Sequence, residues 1–153
     1  MVIKDEFRLV LRTRREEEAM SEQDVASLVR LSAAEYSDIE HDKTEWRMVV
    51  PFFKLKFLIK LFNIDIAEMF ESRPAHNSLS KYHEISDIIK ERRSALGLSA
   101  EEFADRAGFF PVFASIVEEH PLGLELYPLQ VAVLVAEVLQ IPPEEFIVWI
   151  VNH

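Results

Sequence analysis

The chain has 153 residues, of which 49% are hydrophobic, and a formal net charge of −10 at pH 7. This length and composition allow a sizeable core, either in one domain or in two small helical domains. The lack of cysteine excludes disulfides and thiolate metal sites, and it is compatible with a reducing cytoplasm.

The N-terminus and the most apolar window bear on localisation. Residues 1–10 carry early acidic side chains and no long apolar run, which argues against a signal peptide. The most apolar window, residues 48–62, is interrupted by three lysines and is shorter than the ~20 residues of a membrane helix. We therefore predict a cytoplasmic protein with no membrane partner.

Residues 7–18 are predicted to form the first helix. Its basic side chains include Arg8 and Arg12, and three glutamates follow at 16–18. This arrangement has two interpretations, a solvated face with i,i+4 ion pairs or a patch that faces phosphates.

Residues 22–29 and 32–40 are predicted to form the second and third helices. Ser32 is followed by Glu35 at the capping-box spacing, which marks the start of the third helix. This helix holds no arginine, lysine, asparagine or glutamine, the side chains that read base edges best. Its outward positions carry small or acidic side chains instead, namely Ala33, Ala34, Ser37 and Asp38.

A fourth helix is predicted over residues 51–62, after a loop at 41–47. Beside its core stripe it has a second apolar stripe at i, i+4, i+8 spacing, formed by Phe53, Phe57 and Leu61. A helix that is apolar on most sides must be buried on most sides. The stripe therefore predicts that a further surface covers this helix.

Residues 98–118 are predicted to form a helix, a tight turn and a second helix. Ser99 is a candidate N-cap, and Gly108 lies where the chain must turn. The helix after the turn, residues 110–117, contains no basic or amide side chain. Three of its apolar residues cannot all face inward: Phe110, Val112 and Phe113. We interpret them as a partner-binding surface; alternatively, loop residues such as Leu122 cover them.

The fourth helix of the second half, from Pro128, repeats the spare apolar stripe, here formed by Val131, Leu134 and Val138. Since the same face recurs at equivalent positions, we predict that the halves pack together through these helices as a pseudo-twofold dimer within one chain.

The chain ends in an uncharged run of high β-propensity, residues 146–151. This tail either folds onto the second half or forms a homodimer contact.

A fixed offset of 78 residues relates the two halves of the chain. It matches Ser21 with Ser99 and Glu40 with Glu118, together with core and basic positions. A shared offset of this kind indicates an internal duplication. The predicted organisation is a first domain, a linker and a second domain, at residues 1–72, 73–82 and 83–153.

Both halves resemble the lambda-repressor-like helix-turn-helix family, also called the Xre or Cro/repressor family. The second half keeps the family positions Arg93, Gly97, Leu98, Ser99, Phe103, Ala104, Gly108, Val117 and Glu118. The first half keeps Arg15, Ser21, Val25, Ala26, Ser32, Ile39 and Glu40, with Ala19 and Arg30 where the family has glycine. The resemblance implies an all-α fold of two tandem helical domains and a role in transcription regulation.

Two functions are predicted from these observations. The resemblance implies a DNA-binding regulator, whose contacts would come from Arg8, Arg12, Ser21, Gln23, Ser32, Ala33, Ala34, Ser37 and Arg47. The acidic charge, of which −7 falls in residues 79–153, opposes phosphate binding. It favours the alternative, a protein-interaction module on a helix-turn-helix scaffold that has lost DNA binding and serves a regulatory partner.

No enzyme is predicted. The five histidines show no paired metal-ligand spacing, the three glycines form no phosphate loop, and no serine lies in a nucleophile-elbow context. We therefore expect no catalytic residue, no metal and no cofactor.

Overall fold

The computed structural model describes residues 6–41, 46–71, 78–120 and 122–153. Throughout these ranges the regular structure is helical, with no strand and one isolated β-bridge, so the predicted all-α fold is confirmed. Among the same residues, no helix combines the length and the apolar character that crossing a bilayer requires.

The described part of the first half contains the helices α1 (Glu6–Glu17), α2 (Glu22–Leu28), α3 (Ala33–Glu40), α4 (Trp46–Val49) and α5 (Phe52–Leu61), and a 3₁₀ turn (Ile66–Met69). Helix α4 begins inside the predicted loop at 41–47 and extends two residues past it; residues 42–45 lie outside the described residues. Its formation follows from packing, because Trp46 is buried with its ring 6.0 Å from that of Phe7.

The described part of the second half contains the helices α6 (Ile85–Ala95), α7 (Ala100–Arg106), α8 (Val112–Glu119), α9 (Leu129–Val138) and α10 (Pro143–Asn152), and a 3₁₀ turn (Gly123–Leu126). Helix α10 contains the tail whose composition suggested β-structure. Its apolar side chains recur at helical spacing and are buried, including Phe146, Trp149 and Ile150. Packing against α9 therefore overrides β-propensity in this segment.

Serine N-caps mark equivalent helix starts in the two halves. Ser21 and Ser99 each accept a hydrogen bond from the backbone N–H three residues on, at 3.1 Å, and form complete capping boxes. Ser32 does the same at the start of α3. These caps confirm the predicted starts of the three helices.

The backbone repeats three left-handed residues, two at an offset of 78 and the third at an offset of 77. Positive φ angles occur at Ala19 (53°) and Gly97 (68°), at Arg30 (59°) and Gly108 (80°), and at Asn63 (49°) and Gln140 (54°). A non-glycine residue in this conformation is strained, at a cost of roughly 1–2 kcal/mol. The first half therefore keeps the turn geometry of the second even where its sequence has lost the glycine.

A buried ion pair is also repeated. Arg15 donates to both carboxylate oxygens of Glu40, at 2.8 and 2.5 Å, and to a backbone carbonyl five residues on at 3.0 Å. Arg93 donates in the same way to Glu118, at 2.6 and 3.1 Å, and to the equivalent carbonyl at 2.9 Å. Each pair ties the first helix of its half to the third, so the two halves share one internal framework.

The halves pack against each other through reciprocal contacts. Helix α4 contacts α9, and the equivalent 3₁₀ turn, Gly123–Leu126, contacts α5. Between these contacts Pro51 pairs with Pro128, its own equivalent at an offset of 77, and Phe52 donates a backbone hydrogen bond of 2.8 Å to Tyr127. One hydrophobic core cluster includes residues from both halves.

The spare stripe of α5 does not lie in this contact. Phe57 is 48% exposed and Leu61 is 41% exposed, so the prediction that both are buried against the other half is wrong. The main contact uses the element before each fourth helix, which leaves this side of α5 in solvent. The remaining residues of the two stripes are more covered: Phe53, Leu134 and Val138 are half-buried, and Val131 is buried.

The predicted linker at 73–82 is described only in part. Residues 73–77 lie outside the described residues, whereas Leu79 and Tyr82 are buried in the core cluster. The second part of this segment is therefore packed against the fold. The homodimer predicted through the C-terminal tail is untested, and the apolar side chains it would use are buried within the chain.

Candidate interaction surface on the second half

The polar residues predicted to contact DNA lie around α2 and α3 and are largely engaged within the fold. Ser21 and Ser32 cap their helices, and Gln23 on α2 is exposed. Ala33 and Ala34 are exposed at the start of α3, and Ser37 is half-buried. The structure therefore brings these positions to one helix-turn-helix surface but places no cation on α3.

Two of the three basic residues predicted to face phosphates have a partner nearby, whereas the buried Nε atom of Arg8 has no hydrogen-bond partner among the described residues. Arg12 pairs with Glu16 at 2.9 Å, which confirms the i,i+4 interpretation for this residue. Arg47 is half-buried and lies over the ring of Trp46, 5.4 Å from its centroid. Arg8 is half-buried, and its Nε atom is fully enclosed. We find no exposed basic patch formed by these side chains.

The turn between α7 and α8 presents large apolar side chains to solvent. Phe110 is 85% exposed and Val112 is 64% exposed. Leu122, predicted as one of their possible covers, is itself exposed. The covering interpretation is therefore wrong for Phe110 and Val112, which stand in solvent on one side of the turn.

Phe113 belongs to the core and not to this surface. Its side chain is 2% exposed, and its ring stacks on Phe109 at 4.2 Å and meets Tyr127 edge-on at 5.1 Å. The prediction that Phe113 binds a partner is wrong. On α8 its side chain is covered by the core, whereas the preceding residue, Val112, is exposed.

The second half lacks, at this turn, the side-chain helix cap that the first half has. Phe110 occupies the position of Ser32, which caps α3 through a reciprocal capping box with Glu35. Helix α8 has no side-chain cap, and Pro111 is its N-cap residue. An N-cap serine contributes ~1 kcal/mol relative to an apolar residue. An exposed phenylalanine therefore stands where a stabilising cap is found in the other half.

A groove of about 630 Å³ lies beside this turn, between α7 and the start of α8. We call it the α7–α8 groove; it is lined by Glu101, Glu102, Asp105, Gly108, Phe109, Phe110 and Pro111. Three of these residues are acidic, two are phenylalanines and one is a proline. Gly108 has a φ of +80°, and no atom lies within 4 Å of the place where a Cβ would stand.

The acidic residues of the groove differ in whether their carboxylates are hydrogen-bonded within the fold. The carboxylate of Glu102 accepts a hydrogen bond of 2.7 Å from the backbone N–H of Ser99. This bond, together with the one from the serine side chain, lowers the pKa of Glu102. Glu101 and Asp105 are exposed, and no hydrogen bond or ion pair engages their side chains among the described residues. Their negative charge is available to a ligand.

Sequence reasoning missed the acidic lining of this groove. The available signal is a comparison of the halves at the offset of 78. Glu101 and Asp105 correspond to Gln23 and Ser27, so the second half carries negative charge where the first is neutral.

One group among the described residues has metal-ligand geometry: Glu22, Glu40 and His41, whose ligand atoms lie within 4.8 Å of one another. Both oxygens of Glu40 accept hydrogen bonds from Arg15. A cation here would face a guanidinium at close range, and we assign no metal to the group.

No protein-family model, curated protein or solved structure matches the chain in the three comparisons.

Proposed function

We propose that the protein is a protein-interaction module built on a helix-turn-helix scaffold, with the α7–α8 surface of the second half as its docking site. The observation that carries the proposal is the exposure of Phe110 and Val112 beside the groove. An exposed apolar patch on a folded domain marks an interaction site. A regulatory partner protein is the role that this surface supports.

The competing function is the DNA-binding regulator implied by the lambda-repressor-like resemblance. The repeated capped helix pairs, α2–α3 and α7–α8, favour it. Lysine and arginine on the recognition helix strengthen phosphate contacts, and base reading needs side chains that hydrogen-bond to base edges. The α2–α3 turn carries one exposed arginine, Arg30. Helices α3 and α8 hold no lysine or arginine, and the α7–α8 groove is acidic. Electrostatics therefore favour the interaction module.

We further propose that the duplicated halves are related by a pseudo-twofold axis near Pro51 and Pro128. Support comes from the pairing of these equivalent residues and from the reciprocal contacts of α4 with α9 and of the Gly123–Leu126 turn with α5. In such an arrangement one half can specialise, because the other preserves the scaffold.

Site-specific photo-crosslinking tests the function. The photoreactive residue p-benzoylphenylalanine replaces Val112 in the full chain, expressed in the cells that make the protein. The matched control carries it at Ala34, the equivalent position of the first half. Irradiation is expected to yield a discrete protein adduct from position 112, to lose it in a Phe110→Ser background, and to yield none from position 34.

Two results would overturn the proposal. One is the absence of a protein adduct that depends on Phe110. The other is crosslinking to nucleic acid from both positions, which the DNA-binding function predicts.

A further inference from the structure

We infer that the α7–α8 groove receives a cationic segment of its protein partner, with one large apolar side chain placed against Phe110. The inference rests on the proposed function and names the chemistry of the partner. Three features support it: the size of the groove, its charge, and the different residues at the matched positions of the first half.

The size of the groove indicates that it receives a segment of the partner chain, and that the contact is more than one between two flat folded surfaces. A volume of about 630 Å³ lies in the range of roughly 300–1,000 Å³ that holds a small ligand or a few side chains. Its apolar part is formed by Phe109, Phe110 and Pro111. Phe110 offers nearly its whole ring, which can pack against an aliphatic side chain or lie under a lysine or arginine head group.

The negative charge of the groove favours a positively charged occupant. Glu101, Glu102 and Asp105 line one side, and α8 contributes no basic residue. Arg106, the nearest basic residue in sequence, lies on α7, and its positive charge helps to lower the pKa of Glu102. The second half as a whole carries −7. Complementary charge at an interface mainly raises the association rate and excludes partners of the wrong sign.

The first half shows what this surface is like without the groove chemistry. The matched positions of Glu101, Asp105, Phe110 and Val112 are Gln23, Ser27, Ser32 and Ala34. The capping box and turn geometry before the groove are the same in both halves. The matched positions of the first half therefore lack this combination of acidic and apolar side chains, and their residues supply substitutions that suit the scaffold.

The test uses three synthetic amphipathic peptides of equal length with the same leucine spacing. Their polar positions are all lysine, all glutamine or all glutamate, and binding to the full chain is followed by fluorescence anisotropy at low and at physiological salt. We expect the lysine peptide to bind at least ~tenfold more tightly than the glutamine peptide, with one peptide per chain, and the glutamate peptide to bind most weakly. The advantage of lysine should shrink at the higher salt.

Two variants separate charge from apolar contact. Glu101→Gln with Asp105→Ser is expected to reduce the lysine preference severalfold and to leave glutamine-peptide binding in place. Phe110→Ser is expected to weaken both peptides. The control, Asp87→Ser with Glu137→Gln, removes the same charge from exposed sites outside the groove and should leave the preference unchanged.

The outcomes distinguish this inference from the proposed function. Equal binding of all three peptides, with dependence on Phe110, would overturn the cationic partner and leave the docking surface standing. An equal loss of lysine preference in the control variant would also overturn it, since general acidity would then explain the binding. Binding indifferent to Phe110→Ser, or no binding, would overturn the inference and leave the proposed function to the crosslinking experiment.

Discussion

Phe110→Ser should weaken partner binding strongly and leave the fold intact. In the first half the equivalent residue, Ser32, accepts a hydrogen bond of 3.1 Å from a backbone N–H of α3. A serine at position 110 can offer the same acceptor to the N–H of Phe113, which now reaches the Phe110 carbonyl at 2.9 Å. Restoring an N-cap is worth ~1 kcal/mol of helix stability.

The loss of the phenylalanine ring costs the fold little. The side chain is 85% exposed, so only a small part of its surface is buried. If a phenylalanine buries about 200 Å² when fully covered, the buried part is about 30 Å². At ~25 cal/mol per Å² this contributes ~0.75 kcal/mol. The gain and the loss nearly cancel, so the free energy of unfolding should change by less than ~1 kcal/mol.

Partner affinity should respond very differently. Truncating a central aromatic contact costs ~2 kcal/mol or more of binding free energy, which corresponds to roughly a 30-fold loss of affinity. Urea unfolding and peptide anisotropy on the same preparation measure both quantities. A loss of more than ~2 kcal/mol of stability would refute the reasoning, because the ring would then belong to the core.

Three further predictions concern the core, the buried ion pair and the turns. Phe113→Ala should lower the free energy of unfolding by ~3–5 kcal/mol, because it empties a stacked aromatic site; a denaturant titration that gives under ~1 kcal/mol would contradict this. Burial opposes the ionisation of Glu40, but hydrogen bonds from Arg15 outweigh it and lower the pKa of the carboxyl. Its stabilisation is therefore present above the ordinary carboxyl pKa and is lost as pH falls through the lowered folded-state pKa. Glu40→Gln should cost ~3 kcal/mol or more at neutral pH, and the difference from the parent should shrink in acid; a pH-independent difference would count against the ion pair. Gly108→Ala should cost ~1–2 kcal/mol through backbone strain alone, and Ala19→Gly should stabilise the chain in thermal unfolding, whereas opposite signs would contradict the shared turn geometry.

The elements that follow local rules could be predicted from the sequence. The serine caps are local patterns, and the structure bears them out. The offset of 78 residues matches Arg15 with Arg93 and Glu40 with Glu118, but only the structure shows that these residues form ion pairs. The resemblance marks Ala19 and Arg30 as positions where the family has glycine, and both have positive φ angles in the structure. In these places one preferred backbone conformation decides the outcome.

The predictions that were wrong share a different cause. Helix α4 and the tail helix α10 form because the two halves cover them, which no single-segment pattern records. The faces of α5 and α8 were misjudged for the same reason, since periodicity shows which residues share a face but not what lies opposite. Phe57 was expected inside and is exposed, and Phe113 was expected outside and is buried.

An amide chemical-shift titration of the isotope-labelled full chain tests the central claim most directly, because it locates the occupied surface residue by residue. The lysine peptide is added first and a mixed-sequence DNA duplex is added to a second sample. We predict shifts confined to residues 101–112 with the peptide, none at the matched residues 23–34, and none with the duplex. Shifts at residues 23–34 with the peptide, or at both third helices with the duplex, would contradict the account.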